Sequence, residues 1–136
     1  MAHPIIELQT GLVAALLADA PLVALLGGSE IFDAPPKAQT PPYIAVVRHD
    51  ILPRDGDNAP GFDHRILLHC WHSDASRAAV LEIVNRVLTV VTLEDLSSVN
   101  LTVTHAQHDR TDTAIDTKTG QARAAIAMRF YSETSA

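Results

Sequence analysis

Between positions 61 and 91 a strand-like pattern of apolar residues passes directly into a helical one. Residues 63–72 (DHRILLHCWH) contain no Gly or Pro and are rich in large apolar and aromatic side chains, which predicts a well-covered strand. Alternation assigns Ile66, Leu68 and Cys70 to one face and Leu67 and Trp71 to the other. Because both faces carry bulky side chains, we expect a central strand with material packed on each side.

A helix is predicted immediately after this strand. Ser73 and Asp74 offer side-chain oxygens to the free N–H groups of a first helical turn, so we expect the N-cap there. Apolar residues then recur at i, i+3, i+4 and i+7 spacing, namely Ala79, Val80, Ile83, Val84, Val87, Leu88 and Val91. A strand that leads directly into an amphipathic helix predicts a sheet with a helix laid across it.

Two helical patterns precede this unit. Residues 5–17 place Leu residues at helical spacing and tolerate Gly11, at a cost of about 1 kcal/mol relative to Ala. Asp19 followed by Pro21 predicts a second, short helix over residues 21–26, which the Gly27–Gly28 pair would end. A short edge strand is predicted within residues 29–33.

The remaining strands are separated by segments rich in Pro, Gly and polar residues. Four prolines in residues 34–42 predict an extended connector. Strands are predicted over residues 43–50, 99–109 and 122–132, with a polar loop over 52–60 and a hairpin tip over 112–120. Leu101, Val103 and His105 are expected to share one face of their strand. In the last strand Ala124, Ile126, Met128 and Phe130 are expected to face inward, and Arg123, Arg129 and Tyr131 outward.

These elements predict an α+β fold: a mostly antiparallel β-sheet of four to five strands with two helices packed on one face. With 136 residues, we expect residues 1–136 to form a single domain with a core that needs neither disulfides nor metal.

Charge and composition narrow the classes of function. A formal net charge of −6 argues against binding nucleic acid by phosphate neutralisation. The single Cys70 suits a reducing compartment. Since no apolar run approaches about 20 residues and the first residues lack a basic signal segment, we expect a soluble cytoplasmic chain.

The polar clusters do not converge on catalytic chemistry. Alternation along a strand puts His69 opposite Cys70 and His72, so the three side chains would not meet on one metal ion. Asp55, Asp57 and Asn58 resemble the start of a calcium loop, but the residues that follow break the pattern. Asp109, Asp112 and Asp116 are interpreted as solvating a hairpin. The chain also lacks a Gly-rich phosphate loop, a nucleophile elbow and a dinucleotide motif. We therefore predict no catalytic, cofactor-binding or metal-binding residues, no cofactor, and no enzymatic activity.

The strands of a sheet this small expose backbone groups at its edges, and pairing those edges with a neighbouring copy would satisfy them. Self-assembly is therefore the use that the pattern favours.

Four segments, in this order and spacing, resemble the tail terminator, or tail completion, proteins of long-tailed phages and gene transfer agents. They are residues 22–28 (LVALLGG), 31–35 (IFDAP), 42–47 (PYIAVV) and 63–73 (DHRILLHCWHS), the last followed by a helix. The Pro-Tyr before the second strand and the Trp near the end of the third are the most characteristic. The resemblance implies an antiparallel sheet with two helices against it and brings no catalytic residues.

The resemblance also implies that six copies form a ring on the tail tube, stop its polymerisation and provide the joint to the head connector in the virion neck, after assembly in the host cytoplasm. The implied partners are the chain itself, the tail tube protein, the head–tail connector or stopper protein, and genome DNA passing through the lumen without specific binding; no membrane is involved. Candidate interface residues are Asp55, Asp57, Asn58, Asp112, Asp116, Lys118, Arg123 and Arg129.

Two alternatives stay open. The first is a related assembly protein, either a head–tail stopper or a minor tail protein. The second is a small non-viral adaptor or enzyme subunit with a pocket near Trp71 and His72, which would lose activity on His72→Ala.

Overall fold

The computed structural model describes residues 3–54 and 60–134. In chain order these residues form α1 (Pro4–Leu17), α2 (Ala20–Leu26), β1 (Ile31–Phe32), β2 (Tyr43–Pro53), β3 (Gly61–His72), α3 (Arg77–Leu93), β4 (Leu101–Ile115) and β5 (Ala122–Thr134). The strands form one sheet in the order β1-β2-β3-β5-β4, antiparallel except for the parallel pair β1–β2. The prediction of an α+β fold with a mostly antiparallel sheet is confirmed.

Side-chain caps determine where the helices begin. Asp19 accepts a hydrogen bond from Leu22 N–H at 3.1 Å and starts α2, and Gly27 ends it with a left-handed φ of 76°. The predicted N-cap of α3 at Ser73 and Asp74 is wrong. Ser76 caps α3 instead, because its hydroxyl accepts from Ala79 N–H at 3.1 Å, while Asp74 N–H donates to the ring of His72.

The core lies between the helices and one face of the sheet, called here the inner face. The predicted inward residues of β5 are all buried: Ala124, Ile126, Met128 and Phe130. They meet Val80, Ile83, Val84 and Val87 of α3, which are equally buried. Each fully buried aliphatic or aromatic side chain contributes about 1.5–3 kcal/mol, so this layer accounts for much of the stability of the fold.

The opposite face, called here the outer face, has no helix over it in the described part of the chain. Leu67 and Trp71 are half-buried there, so the expectation of packed layers on both sides of β3 is wrong. Their cover comes from other strands of the same sheet. The ring of Trp71, for example, stacks on that of Tyr43 with centroids 6.5 Å apart.

In both hairpins the first strand extends further along the chain than predicted. Leu52 and Pro53 belong to β2 and pair with β3, so the predicted loop over residues 52–60 begins too early. Pro53 is compatible with β2 because its missing N–H lies at the end of a strand at the sheet edge. Asp112 lies within β4, and the hairpin tip begins only at Asp116.

β4 also contains register shifts after Val103 and after His108. The first shift turns His105 to the outer face, where its ring stacks on Tyr131 at 5.0 Å. The prediction that Leu101, Val103 and His105 share a face is therefore wrong for His105.

By length and composition, no single helix among the described residues qualifies to cross a membrane. α1 and α2 qualify only when taken together, and they are bent by 84°.

Candidate assembly surfaces

The sheet presents two long edges. On one side, β1 covers β2 only at Ile44 and Ala45, so within residues 3–54 and 60–134 the remainder of β2, up to Pro53, has no strand beside it. On the other side, β5 is the one strand in the described part of the chain that pairs with β4. An unpaired strand edge offers a row of backbone donors and acceptors to another chain. These edges are the structural basis for the self-assembly that the sequence suggests.

Charged residues of the outer face form ion pairs within the chain. The candidate residue Arg123 contacts Asp112 at 3.3 Å, and Arg129 lies 3.7 Å from Asp63. Both arginine side chains are about three-quarters buried, at 23% and 26% exposure. In the single chain both arginines lie beside carboxylates on neighbouring strands rather than projecting into solvent, although Arg129 Nε and Asp63 Oδ1 make no hydrogen bond.

Two further candidate residues, Asp116 and Lys118, lie at the tip of the β4–β5 hairpin. Asp116 builds the β4–β5 turn, since its carboxylate accepts from the backbone N–H of Lys118 at 2.8 Å. Gly120 completes the turn with a φ of 70°, and the side chain of Lys118 is exposed. Asp55, Asp57 and Asn58 lie outside the described residues.

An apolar groove of about 720 Å³ runs beside the free part of β2. Its walls come from α1, β1 and residues 46–49 of β2, and they include the exposed side chains of Ile6 and Val47. A second depression of about 510 Å³ lies on the outer face between Arg48, Arg65 and Asp109. Neither is lined by Trp71 or His72, the residues that the enzyme alternative requires.

A chain of polar side chains crosses the core. His64 Nε2 lies 2.7 Å from Ser132 Oγ, His64 Nδ1 lies 2.8 Å from His49 Nε2, and His49 Nδ1 lies 3.3 Å from Gln9 Oε1. Burial, with a smaller repulsion between the two rings in the case of His49, lowers the pKa of both histidines to about 4. Although Ser132 and His64 are spaced like a nucleophile and its base, both are fully buried, so no substrate reaches them. The network is structural.

Sequence reasoning did not single out this network, although one signal was present. The alternation that places Ile66, Leu68 and Cys70 inside also places His64 inside. Its partners His49 and Ser132 lie on two other strands, so only the folded sheet identifies them.

His69, Cys70 and His72 lie on the strand faces that the sequence predicted. Cys70 is completely buried on the inner face, and burial raises the pKa of its thiol to about 12. His69 lies on the outer face, and His72 Nδ1 accepts from Asp74 N–H at 3.0 Å. Within the described ranges, no three His, Cys, Asp or Glu side chains are grouped so as to hold a metal ion.

Comparison with known proteins agrees with the resemblance drawn from the sequence. The family model of tail completion protein gp17 matches residues 10–131. The chain has no match among curated protein sequences.

Two solved structures share the fold. A chain in the virion of a native gene transfer agent particle superposes with a TM-score of 0.82 at 21% identity, covering 97% of this chain and 99% of that one. Bacteriophage SPP1 gp17 protein superposes with a TM-score of 0.63 at 20% identity, covering 91% and 87% of the two chains. Since the family model spans nearly the whole chain, the protein belongs to the tail completion protein gp17 family, whose members are structural proteins of phage tails and not enzymes.

Proposed function

We propose that six copies of this chain form a ring that caps the tail tube, ends tube polymerisation and provides the joint to the head connector. Membership of the tail completion family supports the general role. The observation that carries the proposal for this chain is the pair of unpaired sheet edges on opposite sides of one domain, at β2 and at β4.

A ring requires a head-to-tail contact in which two different surfaces of the chain meet. The two edges meet this requirement, since β2 is bordered by a groove and β4 carries two bulges. Contacts of this kind close into a ring when the rotation from one copy to the next divides a full turn evenly. Otherwise they form an open filament, so ring closure is the property that prevents continued growth.

The net charge suits a passage for DNA. Six copies at −6 give a formal charge of about −36 around the ring. A negative lumen repels phosphates, so genome DNA passes through without specific binding. The chain then needs no base-reading residues and works in the neck region of the virion after assembly in the host cytoplasm.

The hairpin tips are the proposed axial contacts. Asp116 and Lys118 lie at the β4–β5 tip, and Asp55, Asp57 and Asn58 belong to the segment that joins β2 to β3. We propose that these tips meet the tail tube protein on one side of the ring and the connector or stopper protein on the other. Asp112, Arg123 and Arg129, on strands of the outer face, are proposed to act at or near contacts between copies.

Omitting the chain during particle assembly tests this function. We expect tail tubes of variable length and heads without attached tails, and we expect the wild-type chain supplied in trans to restore both. Complementation with the Lys118→Glu variant serves as a matched test. We expect this variant to fold normally but to yield fewer joined particles than the wild-type chain. Tails of normal length, joined to heads in the absence of the chain, would contradict the proposal.

A further inference from the structure

Each of the two free edges carries an arginine and an aspartate, two residues apart and facing outward. On β2, Arg48 and Asp50 both face outward, and on β4 the outward residues Arg110 and Asp112 repeat the same order of charges. Arg48 contacts Asp50 at 2.6 Å and Arg110 contacts Asp112 at 3.1 Å. Each pair joins two exposed side chains on a single strand, and such pairs contribute little to stability. The Arg48–Asp50 pair and Arg110 can therefore exchange partners when another strand arrives, while Asp112 also keeps its contact with Arg123 at 3.3 Å.

Strand direction determines how the two edges would meet. β2 is antiparallel to β3, β3 to β5, and β5 to β4, so β2 and β4 run in opposite directions within one chain. A neighbouring copy that continues the same sheet preserves this relation. Its β4 therefore arrives antiparallel to β2.

Charge then selects the register. If Arg48 is opposite Asp112 of the next copy, then Asp50 is opposite Arg110, and both cross-strand pairs join opposite charges. A shift by two residues in one direction brings Arg48 against Arg110, and in the other direction Asp50 against Asp112. Like charges placed directly opposite each other destabilise a pair of strands. One register is favoured over both of its neighbours.

We propose that, in the ring, β2 of each copy pairs with β4 of the next copy in antiparallel orientation, with Arg48 opposite Asp112 and Asp50 opposite Arg110. This inference rests on the proposed ring-forming function and specifies its contact between copies. The occupant of the β2 edge is a second copy, because the complementary charge order is found on the other edge of the same chain.

The groove beside β2 is continuous with this contact. Ile6 and Val47 line it at 58% and 50% exposure, and both lie next to the backbone that the neighbouring strand would cover. A strand added along residues 46–52 would remove part of this apolar surface from water. The same contact would thus satisfy unpaired backbone groups, give four charged side chains new ion-pair partners and cover an apolar groove.

Paired cysteines test the register. Asp50→Cys with Arg110→Cys places one thiol on each edge at opposed positions, where Cβ atoms of facing residues lie about 4.5–5.5 Å apart. Mild oxidation of the purified full-length chain is expected to give a ladder of disulfide-linked oligomers on a non-reducing gel. Leu52→Cys with Asp112→Cys is the matched control, four residues out of register, and should give at least tenfold less product. Cys70 does not interfere because its thiol is fully buried.

Charge reversal tests the same contact without a covalent link. Arg48→Asp and Asp112→Arg each oppose like charges, so each should weaken self-association about tenfold, and the double variant should regain most of it. Glu82→Lys is the control, since it also reverses a charge on an exposed side chain but lies on α3 and not on a strand edge. Thermal melts of each variant separate lost assembly from lost folding.

Three results would overturn the inference. They are absence of a ladder from the in-register pair, equal crosslinking of the out-of-register control, and crosslinks in assembled particles that join Asp50→Cys to a different tail protein. The proposed function and the proposed contact are rejected by different results. Particles that require the chain but give no in-register ladder reject this contact alone, whereas a ladder from a chain whose omission leaves tails unchanged rejects the tail role alone.

Discussion

His64 and His49 share a hydrogen bond of 2.8 Å between ring nitrogens in the interior of the sheet, and His64 also contacts Ser132 at 2.7 Å. One ring nitrogen must donate and the other must accept. Burial lowers the pKa of both rings to about 4, so both are neutral near pH 7. A proton added to the accepting ring would put two N–H groups face to face. Neutral histidines are thus a condition for the packing of β2, β3 and β5.

The network predicts that stability falls in mild acid. The pKa of each ring is lowered to about 4 in the folded chain, against about 6.5 when unfolded. Between these values the unfolded chain binds more protons, so the free energy of unfolding decreases as pH falls from about 6.5 to about 4. Urea melts at pH 7.5 and 4.5 should differ by up to about 5 kcal/mol, with about 2.5 kcal/mol from each ring.

Charged groups near the two rings also influence their protonation, and control variants test whether the rings cause the acid sensitivity. Asp50 and Asp33 favour protonation of His49, Asp63 favours protonation of His64, and His3 opposes both. His105→Gln, which removes an exposed histidine, is the matched control variant. The same loss of stability in a His49→Gln/His64→Gln variant would show that the acid sensitivity arises elsewhere.

Gly11→Ala should destabilise the chain even though alanine favours helices. A Cβ at position 11 would lie 2.8 Å from the carbonyl oxygen of Leu96, which is backbone and cannot rotate away. We expect the clash, at about 1–3 kcal/mol, to exceed the gain of about 1 kcal/mol in helix propensity. Thr10→Ala, at an exposed position of the same helix, is the control and should be neutral or stabilising. A Gly11→Ala variant that melts above the wild type would contradict the close approach.

Asp19 joins α2 to α3 as well as capping α2. Its two carboxylate oxygens accept from Arg86 at 2.7 and 3.0 Å, and this contact holds the pKa of Asp19 below its ordinary value. Asp19→Ala removes both the cap and the ion pair and should cost about 2–3 kcal/mol. Asp19→Asn retains an oxygen for Leu22 N–H and should cost about half as much. Equal losses in chemical denaturation would mean that only the ion pair matters.

Trp71→Ala should cost less than truncation of a core leucine. Trp71 is half-buried on the outer face, whereas Leu68 on the same strand is completely buried. We expect about 1–2 kcal/mol for Trp71→Ala and about 3 kcal/mol for Leu68→Ala, measured by thermal or urea unfolding. If Trp71→Ala proves the more costly of the two, the outer face is better covered in solution than in the single chain described here.

Local patterns predicted the elements of this fold, and long-range pairing determined their limits. Asp19 and Gly27 identified the ends of α2 because capping depends on neighbouring residues. The start of α3 was missed because Ser73, Asp74 and Ser76 are all competent caps, and the ring of His72 takes the Asp74 N–H. Asp112 was assigned to a turn because the sequence around it is polar. Its place in β4 depends on pairing with Ala125, which no local pattern shows.

The same contrast between local patterns and long-range pairing applies to the candidate assembly surfaces. The sequence led to self-assembly through strand edges but did not place Arg123 and Arg129 in ion pairs with Asp112 and Asp63, since these pairs link residues on different strands. The charge order shared by β2 and β4 became visible only when register shifts had assigned the face of each residue.

Cryo-electron microscopy of assembled particles tests the central claim most directly. The account predicts a single closed ring of this chain at the head-proximal end of the tail, between the tube and the connector, with β2 of each copy beside β4 of the next. Density for the chain distributed along the tube, or particles that lack it altogether, would contradict the account.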